Sequence, residues 1–79
     1  MFFFLIFRLQ FVSVANIYSL TDQTMRALAG YTGANLIALD ISGCWRITDQ
    51  GVALVAEYCP NLRVLKVTDC RYVPDFFEK

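Results

Sequence analysis

The sequence predicts an α/β solenoid, in which short parallel strands and helices alternate along the chain as repeated units. Apolar residues recur at one spacing, because each of five positions is matched by an apolar residue 26 positions later: Leu36, Leu39, Ile41, Cys44 and Ile47. A helical pattern follows the first of these runs at residues 48–58, and another precedes it at 21–31. The chain is 57% hydrophobic, more than a complete globule of 79 residues can bury. Strand and helix in alternation give a parallel sheet with helices on its outer side.

The repeated unit reads L-x-x-L-x-I-x-x-C-x-x-I, and its second copy comprises Leu62, Leu65, Val67, Cys70 and Val73. A repeat of about 20–29 residues with L-x-x-L-x-L-x-x-N/C is the leucine-rich repeat signature. The predicted fold class is therefore a leucine-rich repeat solenoid of about three repeats, with parallel strands on the concave side and helices on the convex side. We interpret the chain as a fragment of a longer array. A segment of a solenoid ends in core residues on both sides, which would explain the high hydrophobic content.

A degenerate copy precedes these two, with Ile17 in the cysteine position and an offset of 27: Leu9, Val12, Val14, Ile17 and Leu20. We divide the single array, residues 1–79, into repeats at approximately 9–35, 36–61 and an incomplete 62–79, after an apolar segment at 1–8. Strands are expected near 11–14, 38–41 and 64–67, and helices near 22–31 and 49–58.

The second helix has recognisable ends. Thr48 or Asp49 is suited to cap its first turn, and Pro60 blocks its continuation. An apolar stripe at helical spacing is predicted to face the core: Val52, Val55, Ala56 and Cys59.

Composition argues against several functions. Seven basic and seven acidic side chains cancel, so neither nucleic acid nor an anionic membrane is an expected partner. The chain has no histidine, which removes Ser-His and Cys-His dyads and histidine-ligated metals. The four glycines form no G-x-G-x-x-G loop. We expect no enzyme, no metal and no cofactor.

Three cysteines, Cys44, Cys59 and Cys70, lack a C-x-x-C spacing and are odd in number. They are predicted to be reduced, which favours a cytoplasmic or nuclear protein. One interpretation is metal or redox chemistry; the simpler one is a small buried residue in a narrow slot, since Ile17 occupies the same position in the first copy.

The apolar stretch at residues 1–7 is too short to span a bilayer. It is either a secretory signal or a cover for the end of the core; Arg8 ends the apolar run early, which favours the cover. Phe76 and Phe77 are candidates for a lid at the other end. Because neither end shows a polar capping repeat, we expect the isolated chain to be marginally stable and to self-associate.

Side chains that alternate with the core positions face the predicted concave surface, namely Phe11, Ser13, Ala15, Ala38, Asp40, Ser42, Val64, Lys66 and Thr68. Asp40 and Lys66 fall on neighbouring strands, about 4.8 Å apart. They either contact a partner or satisfy each other as an exposed ion pair.

Two further ladders follow the strands: Tyr18, Trp45 and Arg71, then Ser19, Arg46 and Tyr72. Trp45 beside Arg71 predicts a cation–π contact. These residue types dominate interface hot spots, although ordinary packing between repeats also explains them. The predicted partner-binding residues are Ser13, Asp40, Ser42, Trp45, Arg46, Lys66, Thr68, Arg71 and Tyr72.

The extended pattern L-x-x-L-x-I-x-G-C-x-x-I-T-D-x-G-V-x-x-V-A-x-x-C-P-x-L, spanning 36–62, resembles the cysteine-containing repeats of F-box/leucine-rich-repeat proteins. The resemblance implies a curved array that holds a substrate protein, while a separate F-box docks onto a cullin-based ubiquitin ligase. No F-box-like segment precedes Leu9, so we expect this stretch alone not to recruit the ligase.

The predicted function is a protein–protein interaction module that resembles the substrate-recognition part of an F-box-type receptor. The alternative is a structural component of a larger assembly, such as an axonemal complex, in which the segment buries its faces against fixed neighbours.

Overall fold

The computed structural model describes residues 9–73, which form a small α/β unit of three parallel strands and two helices. The elements are β1 (Phe11–Ser13), α1 (Asp22–Thr32), β2 (Ala38–Asp40), α2 (Asp49–Tyr58) and β3 (Val64–Lys66). The predicted parallel strands and both helices are confirmed, with each strand ending one residue early. The apolar segment at 1–8 and the proposed lid at 76–77 lie outside the described residues.

The sheet has the order β1-β2-β3, and its register aligns equivalent positions of successive repeats. Ala38 pairs with Phe11 on one side and with Val64 on the other. Pairing continues past the strand ends: the backbone N–H of Asn16 donates to the Ser42 carbonyl, and that of Gly43 donates to the Thr68 carbonyl, both at 2.8 Å. Successive repeats are thus hydrogen-bonded from the strand into the following turn.

The core lies between the sheet and the two helices. Its buried members are Met25, Ala29, Leu36, Leu39, Ile41, Cys44, Ile47, Val52, Val55, Cys59, Leu62, Leu65, Val67, Cys70 and Val73. Every apolar position of the second and third copies of the repeat is in this set. The apolar positions from which the fold was predicted are therefore the positions that are buried in the core.

The first copy is less buried than the other two. Leu9 is 38% exposed and Ile17 is 44% exposed. The expectation that Ile17 fills the same buried slot as the cysteines is therefore wrong. Cys44 and Cys70 each lie against the backbone of the repeat before them, whereas no described repeat precedes Ile17.

Helix α2 begins as predicted, because the Thr48 hydroxyl accepts a hydrogen bond from the Gln50 backbone N–H at 3.2 Å. Of the predicted apolar stripe, Ala56 is exposed, so its assignment to the core is wrong. Leu54 faces α1, where it lines a groove with Ala29. Successive helical residues are about 100° apart, which places Ala56 on the side of buried Val55 that faces away from α1.

Two polar side chains bond to the backbone near the helix ends. The Thr32 hydroxyl donates to the Leu9 carbonyl at 2.8 Å, and the Asn61 amide donates to the Ala34 carbonyl at 2.7 Å. The first bond ties the end of α1 to the start of its own repeat, and the second joins the second repeat to the first. Within residues 9–73, neither helix has the length and apolar character needed to cross a bilayer.

Candidate protein-binding surface

The outer side of the sheet, which we call the strand face, consists of Phe11, Ser13, Ala38, Asp40, Val64 and Lys66. The inward residues Leu39 and Leu65 pack into the core, so the alternating residues turn away from the helices. One row across the sheet is apolar and the next is polar, because the register aligns like with like. Phe11 is 69% exposed in the apolar row. An exposed side chain of that size is a candidate anchor for a partner.

The polar row carries two opposite charges that do not neutralise each other. Asp40 and Lys66 are register partners, as predicted. The Asp40 carboxylate instead accepts a hydrogen bond from the Ser42 backbone N–H at 2.9 Å. Among residues 9–73 no ion pair joins Asp40 to Lys66. Of the two interpretations made from the sequence, the self-satisfied pair does not match this geometry; Lys66 is exposed and Asp40 is half-buried.

A shallow depression of about 250 Å³ gathers part of the predicted site on the strand face. Phe11, Ser13, Asp40 and Lys66 all line it. Three residues of the predicted set therefore lie together beside the exposed phenyl ring.

Beyond the strands, every repeat makes the same left-handed turn. The φ angles are 64° at Asn16, 77° at Gly43 and 59° at Asp69. Asparagine, glycine and aspartate are the residues that tolerate this conformation best. A Cβ at Gly43 would also collide with the side-chain oxygen of Asn16. The turn directs the following residues out of the sheet and towards one edge.

The first predicted ladder forms a stack at that edge. The rings of Tyr18 and Trp45 lie 5.1 Å apart between centroids at an angle of 31°, and the Arg71 guanidinium carbon lies 5.5 Å from the Trp45 ring centroid. The predicted contact between Trp45 and Arg71 is confirmed. The stack forms one wall of a cleft of about 560 Å³, the turn cleft, lined by Asn16, Tyr18, Gly43, Trp45, Asp69, Cys70 and Arg71.

The three cysteines are buried, as predicted, and carry free thiols. The Cys44 thiol donates to the Val14 carbonyl at 3.3 Å, and the Cys70 thiol donates to the Ile41 carbonyl at 3.1 Å. Burial raises the pKa of all three thiols above their ordinary value. A buried, protonated thiol is a poor nucleophile and a poor metal ligand. All three therefore act here as small apolar side chains, and Cys44 and Cys70 also bond one repeat to the backbone of the previous one.

The predicted partner-binding residues fall into three groups. Ser13, Asp40 and Lys66 line the strand-face depression, while Trp45 and Arg71 line the turn cleft. Ser42 and Thr68 lie between these two sites, where their carbonyls accept the bonds of the turn. Arg46 and Tyr72 line neither site; Tyr72 instead forms a β-bridge with Thr48. The role of each in binding stays a prediction.

Several site residues were missing from the predicted set. Phe11 and Tyr18 belong to ladders that the sequence placed correctly, and their exposure adds them to the site. Asn16 and Asp69 line the turn cleft. Their signal was available in the sequence: turn-forming residues at 16, 43 and 69 recur at the repeat spacing. A groove of about 450 Å³ between the helices, lined by Arg26, Ala29, Gly30, Leu54 and Tyr58, had no such signal.

Two known proteins are similar in sequence to part of this chain. Over 62 residues the chain is 34% identical to F-box/LRR-repeat protein 12 of Arabidopsis thaliana, covering 78% of this chain and 15% of that protein. Over 55 residues it is 34% identical to Antagonist of mitotic exit network protein 1 of Yarrowia lipolytica, covering 70% of this chain and 8% of that protein. No family model matches the chain, and no solved structure matches it. The chain thus shares a partial sequence similarity with an F-box/LRR-repeat protein and spans a small fraction of the relatives that it matches.

Proposed function

We propose that the chain is a segment of a leucine-rich repeat array that binds a protein partner across its strand face. The observation that carries the proposal is the strand face itself. Parallel pairing aligns Phe11, Ala38 and Val64 in an apolar row beside the polar row of Ser13, Asp40 and Lys66. Interfaces combine an apolar centre with a polar rim in this way.

Charge supports a protein as the partner. Asp40 and Lys66 present one negative and one positive charge side by side, and neither neutralises the other. A surface of mixed charge does not favour the uniform negative field of a nucleic acid or an anionic membrane. It favours a partner surface with a complementary pair of charges, which contributes specificity and orientation more than affinity.

The finer proposal is that the array is the substrate-recognition part of an F-box-type ubiquitin ligase receptor. It rests on the extended repeat pattern and on the similarity to F-box/LRR-repeat protein 12. The repeats at approximately 9–35, 36–61 and 62–79 then form part of a longer curved solenoid. Reduced, buried cysteines accord with a cytoplasmic or nuclear location.

The experiment compares partners captured in cells by the chain and by two charge-reversal variants. Lys66→Glu changes the strand face, and Arg26→Glu makes the same change of charge on the exposed helical side. Quantitative mass spectrometry should find a set of proteins that Lys66→Glu loses and Arg26→Glu retains. Equal retention by both variants, or a loss confined to Arg26→Glu, would contradict binding through the strand face.

A second measurement separates the receptor from a scaffold. The half-life of a captured partner is followed in cells that express the full-length protein with or without Lys66→Glu. For a ligase substrate, the variant should prolong the half-life. For a scaffold component the half-life should not change although the contact is lost, and this result would favour the structural alternative.

A further inference from the structure

We infer that the turn cleft binds a carboxylate side chain of a partner peptide together with a neighbouring apolar side chain. The inference deepens the proposed function, on which it rests, by naming the chemistry of one contact. It concerns a site at the edge of the sheet that is separate from the strand-face depression, since the two share no lining residue.

Arg71 provides the anion-binding group. Its guanidinium lies over the Trp45 ring, with 5.5 Å between the guanidinium carbon and the ring centroid. This cation–π contact uses no oxygen acceptor, so the guanidinium N–H donors keep their capacity to bind one. No acidic side chain within residues 9–73 pairs with Arg71. Within residues 9–73 the group thus contacts Trp45 and has no acidic partner, and a carboxylate matches its fork of donors with two parallel hydrogen bonds.

The stack continues on the other side of Trp45 and offers an apolar surface. Tyr18 lies 5.1 Å from Trp45 between ring centroids, and the two side chains are 55% and 49% exposed. Two adjoining aromatic rings that are half exposed can bury an aliphatic or aromatic side chain of a partner. A peptide with an acidic residue next to an apolar one would place its carboxylate on Arg71 and its apolar group on the rings.

Asp69 selects between the two common sources of an oxyanion. Asp69, which carries a negative charge, lines the same cleft as Arg71. A phosphorylated residue carries a charge of about −1.5 to −2 at neutral pH, whereas a carboxylate carries −1. The charges of Asp69 and Arg71 oppose each other in the cleft, so the additional charge of a phosphate gains no net attraction there, and we assign the cleft to a glutamate or aspartate side chain.

The test is direct, because Trp45 is the only tryptophan in the sequence and gives a single indole signal. The full 79-residue chain is titrated with three blocked tripeptides: Leu-Glu-Leu, Leu-Gln-Leu and Leu-phosphoserine-Leu. The Trp45 indole N–H and the Arg71 side chain are followed by NMR. We expect saturable shifts with the glutamate peptide and a dissociation constant roughly fivefold lower than that of the glutamine peptide, the upper range for an exposed charge pair.

Variants at the cleft provide the controls. Arg71→Ala should remove the preference for glutamate over glutamine. Arg71→Lys retains the charge but lacks the planar fork, so most of the preference should also disappear. Arg63→Ala removes an exposed arginine that lies outside the cleft and should leave the preference unchanged.

Each alternative result overturns the inference. Equal binding of the glutamate and glutamine peptides, or no saturable shift, would show that Arg71 is not an anion site. Tighter binding of the phosphoserine peptide would assign the cleft to phosphate. None of these results concerns Lys66 or the strand face, so the proposed function would stand if the cleft failed, and the peptide titration and the strand-face variants report the two failures separately.

Discussion

The carboxylate of Asp22, in the first turn of α1, bonds twice to Thr48, the residue that caps α2. One carboxylate oxygen accepts from the Thr48 backbone N–H at 2.8 Å, and the other accepts from the Thr48 hydroxyl at 2.5 Å. The hydroxyl oxygen in turn accepts from the Gln50 backbone N–H. The acid at the start of one helix therefore positions the cap of the next, which is a role beyond the favourable interaction with a helix dipole.

Asp22→Ala should destabilise the chain by about 1–3 kcal/mol, because it leaves two donors of Thr48 without their acceptor. Asp49→Ala is the matched control. Asp49 occupies the equivalent position of α2 and is exposed, so its loss should cost only about 0.3–1 kcal/mol from the helix dipole. Urea denaturation of both variants measures the difference in the free energy of unfolding. Equal losses would show that the bonds to Thr48 contribute little.

Substitution of glycine by alanine should have opposite effects at two helical positions. A Cβ at Gly30 meets nothing within 4 Å, so Gly30→Ala should stabilise the chain by about 0.5–1 kcal/mol. A Cβ at Gly51 would collide with the Asp22 carboxylate. Gly51→Ala should therefore destabilise the wild-type chain.

The same substitution offers an internal check on that explanation. Once Asp22→Ala has removed the carboxylate, Gly51→Ala should regain the helix-propensity benefit and become neutral or stabilising. A double-mutant cycle by thermal denaturation measures this coupling. Additive effects of the two changes would mean that Gly51 is small for another reason.

The fold was largely predictable because its information is local and repeated. The core positions of the second and third repeats are apolar and lie at a constant spacing. Leu36 and Leu62 can therefore be aligned as equivalent positions from the sequence alone. Thr48 and Asp49 were recognised as the start of a helix. That Asp22 reaches across to Thr48 was not predictable, because the offset between residues does not reveal which rotamer a short carboxylate adopts.

The candidate site was less predictable than the fold. The register placed Trp45 beside Arg71 and Asp40 beside Lys66, and both placements are correct. The sequence could not distinguish an ion pair from two separate charges, because the competing bond from Asp40 to the Ser42 N–H depends on the turn. Ala56 was misassigned because the apolar stripe read from the sequence covers more of the helix surface than the core buries. Within the described residues, α2 packs against one other helix, and Ala56 lies beyond that contact.

A third prediction concerns the left-handed turn. Gly43→Ala should cost about 1–2 kcal/mol, since φ is 77° there and an added Cβ would collide with Asn16. Asp69→Gly is the opposite test at the equivalent position of the next repeat, where φ is 59°. It should be neutral or slightly stabilising, because glycine adopts this conformation without strain. Thermal denaturation checks both. A stabilising Gly43→Ala would contradict the turn geometry.

A fourth prediction concerns alkaline pH. Burial raises the pKa of the Cys59 thiol above its ordinary value of 9.0, so the folded chain holds this proton more tightly than the unfolded chain. The resulting stabilisation is complete below the ordinary pKa and is lost as the pH rises through the raised value. The free energy of unfolding should therefore fall less steeply above about pH 9 in Cys59→Ala than in wild type.

Comparison with the variant isolates the thiol. All other ionisable groups are common to the two proteins and cancel in the difference of their slopes. Parallel pH profiles would show that the Cys59 thiol is no less acidic in the folded chain than in the unfolded one.

The bonds between repeats have a consequence for how such a chain changes length in evolution. The Val14 carbonyl receives the Cys44 thiol, and the Ile41 carbonyl receives the Cys70 thiol one repeat later. Each repeat thus presents to its successor the same acceptors that it meets in its predecessor. An in-frame duplication of the DNA that encodes one repeat would insert a complete set of donors and acceptors, wherever its breakpoints fall. The first two copies are offset by 27 residues and the next two by 26, and the extra residue lies in the turn between α1 and β2. A duplication one codon longer would therefore keep these bonds if its extra residue fell in that turn.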